Sequence, residues 1–362
     1  MKKFLSCLLV LVLIFALSSC GGSGKTEKEN AADQGVEIAL VMTAEGSIDD
    51  RGFFEGTYTG IKQFCDETGR TYGYYNPTEN SADAIYETID MAVLNGAKVI
   101  CIAGTGFIGM MEEVFAAYPD VFFVCNELHG TEAGENSVIY IYKAQEATFL
   151  AGVAAVYEGY TQLGVICGKQ IPANLNGGYG FMQGVNWAAG ELGVESVDLK
   201  YWYSNSFEPS ADIQAYAAAW YENGTELIAA FCGSAAPSIY AAAEGAGGKS
   251  MGCDTDQSAL SDTIVTSFLK NVHVMTYKGL VDWEAGAIEG GQVVDVGIED
   301  GAVGLVMDNA RFENFTQEQY DEIVERYLAG EMGELLDYTA AERPDAFYDL
   351  LAAKNMSFTY YE

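Results

Sequence analysis

Basic residues are scarce in this 362-residue chain, with 18 Lys and Arg against 52 Asp and Glu and a formal net charge of −34. A chain of that sign repels phosphate backbones, which counts against nucleic-acid binding. The acidity reads instead as a solvated face that keeps the protein soluble. Histidine is scarcer still. With only His129 and His273, a histidine-rich metal site is excluded and Cys–His chemistry has little to draw on. Beyond residue 20, the cysteines Cys65, Cys101, Cys125, Cys167, Cys232 and Cys253 form no pair with short metal-type or redox-type spacing. All but Cys65 sit within or at the end of apolar strand-like runs, where a free thiol behaves as a small buried hydrophobe. No Gly-x-Ser-x-Gly elbow and no solenoid repeat are present.

What is present begins with an address label. Lys2 and Lys3 precede an apolar run from Phe4 to Leu17, too short to span a bilayer comfortably. The run ends in Leu17-Ser18-Ser19-Cys20, which resembles the lipobox of bacterial lipoproteins; residues 1–20 are therefore expected to be a signal peptide and Cys20 the lipidated mature N-terminus. Residues 21–35 are rich in Gly, Ser, Lys, Glu and Asn without apolar periodicity, which makes them a flexible tether. Within it, Gly24-Lys25-Thr26 is no phosphate-binding loop, because residue 19 is Ser rather than Gly and no strand precedes it.

From residue 36 short apolar runs alternate with longer amphipathic stretches. The runs are 37–43, 71–75, 98–103, 121–126 and 137–142, then 162–168, 197–203, 226–232, 249–253 and 263–268. Continuous apolar runs of this length suit strands buried on both faces of a parallel sheet. Between them, Ile85, Ile89, Ala92 and Val93 share one helical face, with Ser81 placed to cap that helix and Gly96 to close it. Comparable helices are expected near 52–67, 107–117, 144–158, 178–193, 209–222, 235–245 and 273–287, and acidic ones near 316–329 and 344–354. Sustained alternation of this kind means α/β architecture: parallel sheets covered by helices. The strands are too many for one open sheet, so two Rossmann-like lobes with a hinge are expected. The first lobe would take 36–145 plus about 255–287, and the second 146–254 plus about 288–362.

Ligands of such sheets sit beyond the carboxyl ends of the strands. Candidate residues follow from that rule. After the first strand come Asp49 and Asp50, then Phe53 and Tyr58; one acid would cap the next helix, and the aromatics serve as core residues or ligand platforms. Phe107 opens the helix after the third strand. In the second lobe Phe207 and Phe231 follow or end strands, and Gly233 would let backbone approach a ligand closely. Asp254 ends an apolar strand, where a carboxylate can accept both hydroxyls of a cis-diol while Lys270 donates and balances its charge. The alternative for Asp254 and Lys270 is a structural salt bridge at the hinge.

Gly46-Ser47-Ile48-Asp49-Asp50-Arg51-Gly52-Phe53 resembles the Gly-x-x-Asp-Asp-x-x-Phe-Asn opening of the basic membrane protein family. The resemblance continues through Ala117-Tyr118-Pro119-Asp120 and Lys143-Ala144-Gln145-Glu146-Ala147-Thr148-Phe149-Leu150-Ala151-Gly152. It runs on through Ile171-Pro172, Met251-Gly252-Cys253-Asp254-Thr255-Asp256-Gln257 and Ser267-Phe268-Leu269-Lys270-Asn271-Val272. The order and spacing of these motifs across residues 36–285 carry the resemblance. It implies a periplasmic-binding-protein fold of the first type, and a purine-nucleoside receptor lipoprotein serving an ABC transporter. It further implies that Asp49 or Asp50 addresses the nucleoside, that Tyr58 packs on the base, and that Asp254 and Lys270 hold the ribose. The sequence departs from the family where Phe54 replaces the usual Asn, at Gly109, and near Asn174 to Gly178, where an Arg-Phe pair is missing.

The resulting expectation is a monomeric, extracytoplasmic binding protein held in the cell membrane through Cys20. It would pass a small solute, expected to be a nucleoside, to a membrane permease, with no cofactor, no metal and no enzymatic activity. Two rivals keep the same fold: a signalling receptor, and a binder of another sugar-like solute. An exported hydrolase is the last rival. Asp254-Thr255-Asp256 resembles a phosphatase Asp-x-Asp start, but it follows a late strand and lacks phosphate-holding groups.

Overall fold

The computed structural model describes residues 35–50 and 52–362; the expected signal peptide, Cys20 and residues 21–34 of the expected tether lie outside the described residues. The first stretch runs β1 (Ile38–Val41), α1 (Phe53–Thr68), β2 (Tyr72–Tyr75), α2 (Ala82–Leu94), β3 (Val99–Ala103), α3 (Met111–Ala117), β4 (Phe122–Asn126) and β5 (Ser137–Tyr142). There follow α4 (Ala144–Glu158), β6 (Gln162–Cys167), α5 (Pro172–Leu192), β7 (Val197–Tyr203), α6 (Ala211–Glu222), β8 (Leu227–Phe231), α7 (Ala236–Ala246), β9 (Lys249–Gly252) and β10 (Ile264–Lys270). The chain ends with α8 (Val272–Glu284), β11 (Gln292–Val296), β12 (Val303–Leu305), α9 (Gln317–Leu328), α10 (Pro344–Leu351) and β13 (Met356–Tyr361).

The strands form two sheets, ordered β11-β5-β4-β3-β1-β2 and β12-β10-β9-β8-β6-β7-β13. Every pairing is parallel except β12 with β10. The continuous apolar runs account for this: β1, β3 and β8 are buried at every position, as strands covered by helices on both faces must be. Ser81 does cap α2, accepting from the Ala84 amide at 3.3 Å, and Gly96 follows it with φ of 103°. The acidic helices α9 and α10 pack on α4 and α5 of the second lobe.

Sheet membership moves the return crossings predicted from the sequence. Residues 255–287 are expected in the first lobe, yet β10 is a strand of the second sheet, beside β9. Only from α8 onward does the chain return, with α8 packed on α1 and β4 and with β11 extending the first sheet along β5. The reason is parallel pairing: the apolar β10 buries its backbone groups by extending a second sheet that would otherwise end at β9. Three crossings therefore join the lobes, at Lys143, at Asn271 and between Val296 and Val303. They are bonded to one another, with Lys143 N–H donating to the Val296 carbonyl at 2.9 Å and Asn271 N–H to that of Ala302 at 2.7 Å.

Candidate functional site

In each sheet the strand order reverses beside the first strand of its lobe, between β3 and β1 and between β8 and β6. Connections leave in opposite directions at such a point and open a crevice beyond the strand ends. The two crevices share one cleft. Its inner part is lined from the first lobe by Phe53, Thr105 and Glu127 and from the second by Phe207, Phe231, Gly233, Asp254, Phe268 and Lys270. A wider mouth adds Glu45, Asp49, Asp50, His129, Lys169, Glu208 and Gln257.

The walls are aromatic. Phe231 meets Phe268 edge-on at 5.0 Å between ring centroids, and Phe207 carries Lys169 Nζ 5.7 Å from its centroid. Gly233 holds φ of 52°, a left-handed conformation open to glycine at little cost, and it lies close to the Phe207 ring.

The floor is charged. Lys270 and Glu127 are 6% and 2% exposed and pair across the lobes, Nζ to Oε1, at 3.2 Å. Glu127 turns its other oxygen to His129 Nε2 at 2.7 Å, and Lys270 Nζ stands 5.4 Å from the Phe53 centroid. Burial pushes the Glu127 carboxyl up, but Lys270 and His129 outweigh it and hold the group below the ordinary range. Burial likewise pulls Lys270 down, and Glu127 with Asp254 more than reverse it. For Asp254 burial wins over Lys270, and its carboxyl is raised. The two acids beside Lys270 sit in left-handed backbone, with φ of 63° at Glu127 and 68° at Asp254. Non-glycine residues take that conformation at a cost, and such residues cluster at ligand clamps.

The structure brings together Asp49, Asp50, Phe53, Phe207, Phe231, Gly233, Asp254 and Lys270 from the sequence-predicted set. Asp50 is the cap of α1: its carboxylate accepts from the amides of Gly52 at 2.8 Å, Phe54 at 3.2 Å and Glu55 at 3.0 Å. Burial still raises its carboxyl against those three donors. Two aromatics lie elsewhere. Tyr58 packs on Tyr72 and Tyr74, each 5.7 Å between centroids, and Phe107 is fully buried in the first-lobe core. Lys270 pairs with Glu127 rather than with Asp254, so the hinge salt bridge weighed as the alternative for that pair is made by a different acid. Glu127 escaped sequence reading although it carries the same signal as Asp254, an acid directly after an apolar strand. The six cysteines beyond residue 20 are free and buried. Among the described residues no group of acids, histidines or cysteines is arranged to hold a metal ion.

A family model described as ABC transporter substrate-binding protein, PnrA-like, matches residues 38–332. The chain is 26% identical over 321 residues to Basic membrane protein A1 of Borrelia garinii subsp. bavariensis, covering 84% of this chain and 88% of that protein. Among solved structures it is similar to an ABC transporter solute-binding protein of Aeropyrum pernix K1, with TM-score 0.66, 21% identity, and 88% and 90% of the two chains covered. A second, from Conexibacter woesei, has TM-score 0.67 at 16% identity, with 84% and 99% covered. These likenesses give the fold, which is that of periplasmic binding proteins of type 1. A doubly wound pair of lobes with a cleft at the strand ends, matched by one family model across both lobes, means that this chain belongs to the PnrA-like family of ABC transporter substrate-binding proteins.

Proposed function

We propose that the chain captures a ribonucleoside outside the cytoplasmic membrane, anchored there as a monomer through a lipid on Cys20, and releases it to an ABC permease. The observation that carries the ligand reading is the juxtaposition of a charged floor, Asp254 with the Glu127-paired Lys270, and aromatic walls contributed by both lobes. Ribose hydroxyls would donate to Asp254 and accept from Lys270, and the base would lie between Phe53 of the first lobe and Phe207 of the second. Hydrogen bonds to charged groups contribute about 1.5–3 kcal/mol each, and an aromatic ring under a base about 1–3 kcal/mol. Those terms, less the cost of immobilising the solute, support micromolar capture. Contacts to both lobes favour the closed form and couple binding to closure.

Charge narrows the ligand further. Among the described residues, Glu45, Asp49, Asp50, Glu127, Glu208 and Asp254 face the cleft, against Lys169, Lys270 and His129. That field suits a neutral solute and opposes a phosphorylated one. The test is a thermal-shift screen of the protein lacking residues 1–20 against nucleosides, nucleoside monophosphates, free bases, sugars and amino acids. A ligand that binds only the folded state raises its melting temperature. Shifts with ribonucleosides but not with their bases or monophosphates are expected. Shifts only with sugars or amino acids would discard the nucleoside reading and leave the binding-protein fold untouched.

A further inference from the structure

The turn that presents Asp254 contains a second polar side chain whose orientation is determined by its surroundings. Gln257 is 6% exposed and lies three residues beyond Asp254. Its Oε1 receives the Cys253 amide at 3.4 Å and the buried Tyr240 hydroxyl, while its own backbone N–H donates to Ser267 Oγ at 3.2 Å. A side-chain amide has two orientations differing by exchange of oxygen and nitrogen. The Cys253 N–H can only donate, so it requires the oxygen on its side and turns Nε2 the other way. Nε2 has no hydrogen-bond partner among the described residues and, unlike Glu127 Oε1, is not sealed from solvent. The residue lines the cleft mouth together with Asp254.

We propose that Gln257 is a ligand-contacting residue, its fixed Nε2 donating to the same hydroxylated edge of the ligand that donates to Asp254. An alcohol oxygen both donates and accepts. Asp254, ionised, offers acceptors alone, so a hydroxyl bound to it keeps lone pairs that a neighbouring N–H can fill. Lys270 is held by Glu127, whereas Gln257 Nε2 is an uncommitted neutral donor on the second-lobe wall beside Asp254. A donor–acceptor pair on one wall selects a hydroxyl over hydrogen at that ligand position, because the analogue lacking it leaves both groups unpaired.

This inference rests on the ribonucleoside reading, and the experiment separates the two. Adenosine, guanosine, inosine and uridine, their 2′-deoxy and 3′-deoxy counterparts and D-ribose are titrated calorimetrically into the parent, Gln257→Glu and Gln257→Met. Gln257→Glu keeps an oxygen for Cys253 and Tyr240 and removes the donor; Gln257→Met removes both. Affinity for the preferred ribonucleoside is expected to fall roughly 5- to 100-fold in each variant, the range of one lost hydrogen bond. The parent's preference for that ribonucleoside over one of its deoxy analogues should shrink by a similar factor. Equal weakening of all ligands, with the preference kept, would assign Gln257 a bracing role and overturn the proposal. So would unchanged affinity in Gln257→Glu. If the parent binds ribose but no nucleoside, the nucleoside reading fails and Gln257 is judged by the same comparison with 2-deoxyribose. If nothing in the panel binds the parent, both fall.

Discussion

Lys270 stands at the end of β10, one residue before the chain crosses to the first lobe, with its ammonium 3.2 Å from Glu127 of that lobe. Replacing it by methionine preserves most of the apolar stem and removes the charge. Glu127 would then be a buried carboxylate with only His129 beside it, since its Oε1 has no hydrogen bond and no solvent. Breaking a buried pair from one side costs about 3–5 kcal/mol. For lobes of this size each kcal/mol moves the melting temperature by about 2–4 °C, so Lys270→Met should melt roughly 6–20 °C below the parent by scanning calorimetry. Adding Glu127→Gln should recover part of that loss, because it removes the buried carboxylate left without Lys270, while Asp254 lacks Lys270 in both variants. The pH dependence has a definite sign. In the parent, the lowered Glu127 carboxyl adds stability that is present above the ordinary carboxyl range and lost as pH falls through its folded value. The raised Lys270 adds stability that is present below the ordinary lysine value and lost as pH rises through its folded value. In Lys270→Met, burial is opposed by His129 alone, so the carboxyl lies higher than in the parent and acidification narrows the gap between the two. A single variant melting within 3 °C of the parent at neutral pH would refute the reasoning, as would a double variant no more stable than the single.

Asp254 behaves oppositely: burial raises its carboxyl, so its ionised form opposes folding at neutral pH and that cost eases as pH falls. Asp254→Asn should leave the empty protein as stable as the parent or slightly more so, and weaken ribonucleoside binding roughly 10- to 100-fold by calorimetry. Tyr58→Leu should destabilise modestly through its contacts with Tyr72 and Tyr74 and leave the ligand profile unchanged in the thermal-shift panel; selective loss of base-bearing ligands would show that Tyr58 reaches the site. Gly184 lies where α5 crosses α4, and a methyl there would overlap the Phe149 carbonyl, so Gly184→Ala should cost about 1–3 kcal/mol in urea unfolding. Glu158 accepts from the amides of Glu313, Asn314 and Phe315 at 2.7, 2.9 and 2.9 Å, tying the segment before α9 to α4. Glu158→Gln should lose about 1.5–3 kcal/mol, read as a lowered denaturation midpoint at unchanged slope.

The sequence by itself located the ten strands β1 to β10 and the helices between them, most plainly β1, β3 and β8, since a strand buried on both faces must be written as an unbroken apolar run. It did not disclose β11, β12 or β13. β11 is mostly exposed, β12 has three residues and β13 alternates, as edge strands with a wet face do. Strand ends pointed to Asp254, Phe231 and Gly233, the family resemblance pointed to Lys270, and the strand-end rule applied to Val121–Asn126 would have found Glu127. Helical phase misled for Tyr58: five residues beyond Phe53 it is turned about 140° around α1, so the two rings cannot face one cleft. What only the tertiary structure decided is pairing between lobes. Glu127 and Lys270 are distant in the chain, and no local pattern says which acid a buried ammonium will meet. That depends on how three crossings stack at the hinge and where two independently formed sheets aim their strand ends.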